Sequence, residues 1–144
     1  MNALSPPPAA GVAAPTRWLD WRGSGRILIV DDDAAIRTVV ARTVARIGFT
    51  SEQASDGPKA IAQFDLDPGA YALVLLDYLL PGMDGKEILS RFQRVKPGVR
   101  VILMSGLSRQ ESMGHFAGCG MAGFLQKPFP LEALVTELRA AIEA

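Results

Sequence analysis

Five polar residues stand at the ends of apolar runs in this sequence, and their types could do chemistry together. Asp31 and Asp32 follow one run, Asp77 ends a second, Ser105 a third and Lys127 a fourth. In an open α/β sheet the carboxyl ends of the strands converge on one edge, where ligands bind, so we expect these side chains to lie close together. Three carboxylates at that edge would repel one another and raise at least one pKa, and a divalent cation would remove this repulsion.

Oxygen ligands alone indicate a hard cation such as Mg²⁺, which keeps some of its waters and favours a phosphate partner. The hydroxyl of Ser105 and the ammonium of Lys127 could hold a phosphoryl group by hydrogen bonding and charge. These residues therefore predict a carboxylate nucleophile that takes up a phosphoryl group with the help of a metal ion.

The elements that must position these residues alternate between strand and helix. The four apolar residues from Leu73 to Leu76 are too few for a membrane span and are typical of a strand buried on both faces. Further strands are predicted at residues 27–30, 49–54 and 99–104, with a last one ending at 124–127. This alternation predicts an α/β fold: a doubly wound, five-stranded parallel sheet with helices on both faces.

Helices are predicted between these strands from apolar spacing, capping residues and Gly or Pro breaks. Helical spacing places Val39, Val95 and Leu131 among the residues that face the core. Capping boxes are predicted at the start of the third and fourth helices, with Asp84 and Ser108 as the capping residues.

The chain of 144 residues is long enough for one domain with a sizeable core. Its 15 basic and 15 acidic residues cancel, so nothing indicates electrostatic binding to nucleic acid or membrane. The single Cys119 excludes an internal disulfide and suits a reducing compartment, and the N-terminus lacks the pattern of a signal peptide. We therefore expect a cytoplasmic protein with no nucleic-acid or membrane partner.

Residues 1–25 differ in composition from the rest and are predicted to form a flexible tail or linker rich in Pro, Ala and Gly. The folded domain is then expected to cover residues 26–144. Trp18 and Trp21 interrupt the tail, and two alternatives stay open for them: packing on the domain or packing on a partner protein.

Short motifs at the strand ends, taken in order and at these spacings, resemble the receiver domain of two-component response regulators. The resemblance covers roughly residues 26–143, and its motifs are Val30-Asp31-Asp32, Leu76-Asp77, Pro81-Gly82-Met83-Asp84-Gly85, Met104-Ser105-Gly106 and Lys127-Pro128-Phe129. It implies a flavodoxin-like fold with three α/β/α layers and strand order 2-1-3-4-5. It also implies a cis bond between Lys127 and Pro128, since only X-Pro bonds adopt the cis form at low cost.

The same resemblance assigns roles to the strand-end residues. Asp77 would be the phosphoacceptor, and Asp31, Asp32, Asp77 and the backbone carbonyl of Leu79 would bind Mg²⁺. Ser105 would contact the phosphoryl oxygens.

Lys127 would contact the same oxygens, and Phe124 would occupy the aromatic switch position. A phosphoryl group that draws Ser105 inward would vacate space for the Phe124 ring and so couple the site to the last two helices and the strand between them. Because no DNA-binding or enzymatic domain follows Ala144, the signal is expected to leave through this surface.

Two leucines are expected to set the lifetime of the acyl phosphate. By resemblance, the residues two positions after the phosphoacceptor and two after the hydroxyl residue flank the approach of the hydrolytic water, and here these are Leu79 and Leu107. Neither can orient a water, and both are bulky enough to exclude one, so slow autodephosphorylation is expected.

The sequence is similar in particular to the receivers at the C-terminus of hybrid sensor histidine kinases, through residues 21–25 and 123–129. Two alternatives stay open: a stand-alone receiver descended from such a protein, or a fragment of one. In either case the expected partner is a histidine kinase or a histidine phosphotransfer protein.

Two other functions compete with a signalling switch. A phosphatase of the haloacid dehalogenase type also uses a strand-end Asp nucleophile, but it needs a second Asp two residues on, where this chain has Leu79. A receiver-like interaction module that works without phosphorylation usually lacks an acidic, hydroxyl or Lys position, and all of them are present here. We therefore expect a phosphoacceptor switch and not a dedicated enzyme, unless the chain belongs to a hybrid kinase.

Overall fold

A computed structural model of the protein describes residues 18–144, and five strands and five helices alternate through most of this length. Strands and helices are numbered separately in chain order. Their bounds are β1 Arg26–Val30, α1 Ala34–Arg46, β2 Thr50–Ala54, α2 Gly57–Leu66, β3 Tyr71–Asp77, α3 Gly85–Val95, β4 Val101–Ser105, α4 Arg109–Phe116, β5 Gly123–Gln126 and α5 Leu131–Glu143. A small antiparallel ribbon, Leu79–Leu80 with Met83–Asp84, links β3 to α3.

The five strands form one parallel sheet in the order β2-β1-β3-β4-β5. This arrangement confirms the predicted doubly wound α/β fold and its strand order. The order reverses direction between β1 and β3, so the ends of these two strands border the crevice in which such sheets place their ligands.

Side chains that alternate along each strand feed two apolar clusters, one on each face of the sheet. In β1, Leu28 and Val30 enter the cluster that contains the inward residues of α2 and α3. Ile27 and Ile29 enter the opposite cluster, which contains the inward residues of α1 and α5. Burial on both faces explains why the central strands read as unbroken apolar runs.

Three residues that the helical pattern placed in the core are exposed instead. Val39 is 47% exposed and Val95 45%, and Leu131 also reaches solvent. In α1 the neighbouring Val40 points at the centre of the sheet, and one residue of helix turns the chain by about 100°, which leaves Val39 on the flank. Val95 and Leu131 are the last residue of α3 and the first of α5, where the helices extend past the core.

One of the two predicted capping boxes is confirmed and the other is wrong. Ser108 and Glu111 exchange both hydrogen bonds at the start of α4. At the start of α3, Asp84 accepts from the Lys86 N–H, one residue short of the position that a capping box requires.

Residues 18–25, here called the N-terminal strap, pack on the domain. The Trp21 ring lies 5.9 Å from the Phe49 ring, and its Nε1 donates to Glu143 Oε2 at 3.2 Å. The Gly23 N–H donates to the Ile47 carbonyl at 2.8 Å, and a Cβ on Gly23 would lie only 2.2 Å from the Phe49 ring. Of the two alternatives for the tryptophans, the structure shows packing on the domain. The part of the predicted tail at residues 1–17 lies outside the described residues.

Within residues 18–144, no helix is both long enough and apolar enough to cross a membrane.

The strap yields a prediction about stability. Replacing Trp21 with Ala removes a half-buried ring that contacts Phe49, and it should lower the free energy of unfolding by about 1–2 kcal/mol. Urea unfolding followed by circular dichroism measures this value. Leu66→Ala is a matched control, because Leu66 is 87% exposed, and it should stay within about 0.5 kcal/mol of the wild type. Equal stability of Trp21→Ala and wild type would show that the strap contributes nothing.

Candidate functional site

Asp31 is the first residue after β1 and is fully buried. Its backbone N–H donates to the Ala54 carbonyl at 3.1 Å, which continues the pairing with β2. One carboxylate oxygen accepts from the Asp33 N–H at 2.9 Å, and the Arg37 guanidinium donates to the Asp31 carbonyl at 2.6 Å. Asp32 is exposed at the mouth of the site.

Asp77 is the last residue of β3 and is 5% exposed. Its Oδ1 accepts from the Leu79 N–H at 3.2 Å, and the Tyr78 N–H pairs with the Met104 carbonyl at 2.8 Å. Carboxylate oxygens of Asp31, Asp32 and Asp77 all lie within 4.8 Å of one another. The sheet therefore brings the three carboxylates together at the switch-point crevice.

Lys127 closes the cluster from β5. Its Nζ lies 2.6 Å from Asp31 Oδ2 and 3.1 Å from Asp77 Oδ2. Its backbone N–H donates to the Ser105 carbonyl at 2.7 Å, and the bond to Pro128 is cis. The ammonium thus stands between the two buried carboxylates and balances part of their charge.

The electrostatics of this cluster oppose ionisation of Asp77. Burial raises the pKa of Asp77 to about 6, the negative charge of Asp31 adds to the rise, and Lys127 counteracts it. The expected repulsion between carboxylates therefore contributes to the raised pKa of Asp77, but burial contributes more. At Lys127, burial lowers the pKa of the ammonium, but the hydrogen bonds and charges of the two carboxylates outweigh it and the pKa is raised.

Ser105 is the last residue of β4 and is buried. In the register of β3 with β4, Asp77 pairs with Met104, which places Ser105 one residue beyond the level of Asp77. The Leu107 N–H donates to Ser105 Oγ at 3.0 Å. This bond makes the oxygen an acceptor and leaves the hydroxyl proton available to donate.

The remaining predicted residues lie around this cluster. Leu79 sits in the ribbon after Asp77 with 66% of its surface exposed, and Leu107 is half-buried in the loop after β4. Phe124 lies away from the carboxylates, in the apolar cluster on one face of the sheet, and is 2% exposed. The Phe124 ring is therefore already buried before any movement of Ser105.

Arg37 contributes to the site in a way that sequence patterns do not indicate. It lies one turn into α1, where a charged residue is typical of a solvated helix face. Its guanidinium instead anchors the backbone of Asp31 and bonds to Gln53 Oε1 at 3.2 Å. A contact of this kind depends on how α1 sits over β2, which the local sequence does not specify.

Residues 27–139 match the family model described as the response regulator receiver domain. The chain is a response regulator receiver domain. The family supports the coarser prediction, a receiver of two-component signalling with a fold like that of CheY.

The receiver is similar to parts of longer proteins. It is 29% identical over 124 residues to the sensor kinase CckA of Brucella abortus, covering 86% of this chain and 13% of that protein. It is 35% identical over 117 residues to the transcriptional regulatory protein TcrA of Mycobacterium tuberculosis, covering 80% of this chain and 45% of that protein. The chain thus spans less than half the length of either relative.

Among solved structures, the receiver is similar to a complex of CheX, CheY, BeF3 and Mg²⁺ from Borrelia burgdorferi. The TM-score is 0.76 with 25% sequence identity, over 81% of this chain and 87% of that chain.

The donor set of the receiver fits a hard cation. Asp31, Asp32 and Asp77 offer carboxylate oxygens within 4.8 Å of one another, with one of the three residues open to solvent. Oxygen donors of this kind suit Mg²⁺, which retains waters on its open side.

The raised pKa of Asp77 predicts how the free energy of unfolding depends on pH in a buffer that contains a chelator. The folded-state pKa of about 6 lies above the ordinary aspartate value of 3.8, so the folded state holds its proton more tightly than the unfolded chain. The contribution of Asp77 to stability is greatest below pH 3.8 and is lost as the pH rises through 6. Asp77→Asn, which cannot ionise, should therefore gain on the wild type across this window and be more stable at pH 7 by on the order of 1–3 kcal/mol.

The measurement is urea unfolding of both proteins at a series of pH values from acid to neutral. Asp56→Asn, at the start of α2, controls for the loss of one negative charge. If the free energies of unfolding of Asp77→Asn and wild type differ by the same amount at all pH values, the raised pKa of Asp77 is contradicted.

Proposed function

We propose that this receiver is a signalling switch that accepts a phosphoryl group on Asp77 from a histidine kinase or a histidine phosphotransfer protein, in a reaction that needs Mg²⁺. The observation that carries the proposal is the buried Asp77 carboxylate, with two further Asp carboxylates and the Lys127 ammonium gathered around it. An acceptor domain of this kind is not a dedicated enzyme, because the phosphoryl group stays on its nucleophile as the signal and no substrate is turned over.

The transfer forms a bond between one Asp77 oxygen and phosphorus and breaks the bond between phosphorus and the imidazole nitrogen of the donor. Asp77 must be ionised to attack, and a pKa of about 6 leaves most of it ionised near neutral pH. Asp77 Oδ1 accepts from the Leu79 N–H, which fixes the direction in which the second oxygen faces.

The other residues would offset the charge of the incoming group. Mg²⁺, held by Asp31, Asp32, Asp77 and the carbonyl of Leu79, would supply positive charge next to the phosphoryl oxygens. Lys127 pairs with Asp31 and Asp77 in the structure and would transfer part of that pairing to a phosphoryl oxygen.

Ser105 would contribute a hydroxyl hydrogen bond. Its Oγ is already positioned by the Leu107 N–H, so its proton is the part that remains to be directed at a phosphoryl oxygen. Similarity to the CheY complex with BeF3 and Mg²⁺ supports this use of the site.

An apolar groove beside Lys127 supports docking of the phosphoryl donor. The groove has a volume of about 400 Å³ and is lined mainly by apolar side chains of α1 and of the segment from Lys127 to Leu131. Val39 and Leu131, which the sequence pattern placed in the core, are two of its exposed walls. A helix of the donor that packs there would stand next to Asp77, because Lys127 belongs to both the groove and the site.

The proposed output surface is formed by α4, β5 and α5. Arg109 of α4 lies 3.8 Å from Glu137 of α5 and 5.6 Å from the Phe124 ring, and Glu137 also accepts from the Phe124 N–H. Phe124 therefore contacts both helices, which supports a role for Ser105 and Phe124 in coupling the site to this surface. A downstream protein partner would bind there.

Phosphorylation of Asp77 is the direct test of this function. After treatment with acetyl phosphate and Mg²⁺, intact-mass measurement should show one labile phosphate on the wild type, because Asp77 is the buried nucleophile. Asp77→Ala and Asp77→Asn should show none, and a chelator should prevent the reaction. The same adduct on Asp77→Ala would refute the assignment, and no adduct on the wild type would favour an interaction module that works without phosphorylation.

The lifetime of the acyl phosphate is proposed to depend on two leucines. Leu79 stays exposed beside Asp77 and does not turn into the core, and Leu107 is half-buried beside Ser105. We propose that both side chains flank the approach of a hydrolytic water, and neither can hydrogen-bond to it.

Polar replacements should shorten this lifetime. Leu79→Asn and Leu107→Glu each introduce a group that can orient a water, and we expect each to accelerate loss of phosphate by roughly tenfold. Leu79→Ala, which shortens the side chain and adds no polar group, separates water orientation from simple removal of bulk. The phosphoryl half-life of each purified protein is the measurement. Unchanged half-lives in both polar variants and in the double variant would exclude shielding by these leucines.

A further inference from the structure

Helix α4 is weakly anchored to the rest of the receiver. Of its eight residues, only Ser112 and Phe116 are buried. The Ser112 hydroxyl is enclosed without a hydrogen-bond partner among residues 18–144, which costs free energy instead of contributing it. The apolar attachment of α4 therefore rests mainly on the Phe116 ring.

The two ends of α4 contact different parts of the molecule. At the N-terminal end, Arg109 lies over the Phe124 ring and pairs with Glu137, so this end is linked to β5 and α5. At the C-terminal end, Phe116 packs edge-on against Tyr78, with ring centroids 4.9 Å apart and an interplanar angle of 83°. The His115 ring lies 6.0 Å from the same Tyr78 ring.

Tyr78 is the residue directly after Asp77, and its backbone has little freedom to absorb a movement there. Its N–H is bonded to the Met104 carbonyl at 2.8 Å. On the other side it packs against Gly85, where an added Cβ would lie 2.9 Å from the Tyr78 carbonyl oxygen and 3.1 Å from its ring. A displacement of the chain at Asp77 would therefore reach the Tyr78 ring.

We propose that Tyr78 is a positioning residue that links Asp77 to the C-terminal end of α4 through Phe116, in parallel with the link through Phe124 to the N-terminal end. This inference rests on the proposed function, because it needs Asp77 to take up a phosphoryl group. The Phe124 ring is already buried, whereas Tyr78 is half-buried and contacts the most weakly anchored helix. A change at Asp77 would then shift or order the C-terminal half of α4 by way of the aromatic pair.

The test uses BeF3 with Mg²⁺ as a stable phosphoryl mimic bound to the full-length chain. Fluorine NMR measures formation of the adduct, and amide chemical shifts of residues 109–117 measure the response of α4. In the wild type, the mimic should shift amides at both ends of the helix. Tyr78→Leu should form the adduct, lose most of the response at residues 113–117 and keep the response at residues 109–111. Tyr78→Phe preserves the ring and should respond as the wild type does.

Two further variants test the aromatic pair from its other side and control for a general loss of packing. Phe116→Leu removes the other ring of the pair and should reproduce the effect of Tyr78→Leu. Phe92→Leu removes a ring from the same apolar cluster, where Phe92 contacts Phe64 at 4.6 Å, and should leave the response of α4 intact.

The possible failures are distinguishable. Absence of the adduct in the wild type overturns the proposed function and this inference with it. An adduct in Tyr78→Leu with a wild-type response at residues 113–117 overturns the inference alone. An equal loss of response in Phe92→Leu also overturns it, because the effect would then arise from the core as a whole.

Discussion

The ammonium of Lys127 lies between the carboxylates of Asp31 and Asp77, at 2.6 and 3.1 Å, and the arrangement of the strand ends depends on this triad. Buried carboxylates without a positive partner would be too unstable to remain ionised, so removal of the Lys127 ammonium is expected to be strongly destabilising. The triad joins the ends of β1, β3 and β5, and β4 lies between the last two. It therefore couples the chemistry of the site to the relative positions of these strand ends.

The balance within the triad is incomplete, and this has a functional consequence. One ammonium faces three nearby carboxylates, and the pKa of Asp77 stays raised to about 6 because burial and the Asp31 charge outweigh Lys127. The site consequently favours the binding of further positive charge. A hard divalent cation would supply positive charge there, and a phosphoryl group would then be a favourable neighbour for both the cation and the ammonium.

The helices around the sheet are attached with unequal strength, which decides where a change in the site can spread. Helix α5 is held by four buried residues and by the N-terminal strap at its end. Helix α4 has two buried residues, and the hydroxyl of one of them, Ser112, has no hydrogen-bond partner among residues 18–144. The helix touches Tyr78, which follows Asp77, and its Arg109 lies over the Phe124 ring of β5. Elements that move in a conformational change are drawn from the regions of lowest local stability, and α4 has the features of such a region.

The fold and the identities of the strand-end residues could be predicted from the sequence because both depend on local patterns. Apolar runs predict the strands, and the residues that end them, Asp31, Asp77, Ser105 and Lys127, indicate both the functional edge of the sheet and its chemistry. Parallel topology then brings those edges together without further information.

The tertiary structure alone decided the contacts between distant residues and the exposure of residues at the margins of helices. Lys127 pairs with residues 96 and 50 positions away, and the Tyr78–Phe116 contact depends on where α4 settles over the sheet. Val39 and Leu131 have the spacing of core residues yet form an exposed groove, because periodicity gives the direction of a side chain but not the extent of the surface that covers it. Phe124 is buried and the strap is docked for the same reason: packing over long sequence separations is set by the shapes of whole elements, which no local run of residues encodes.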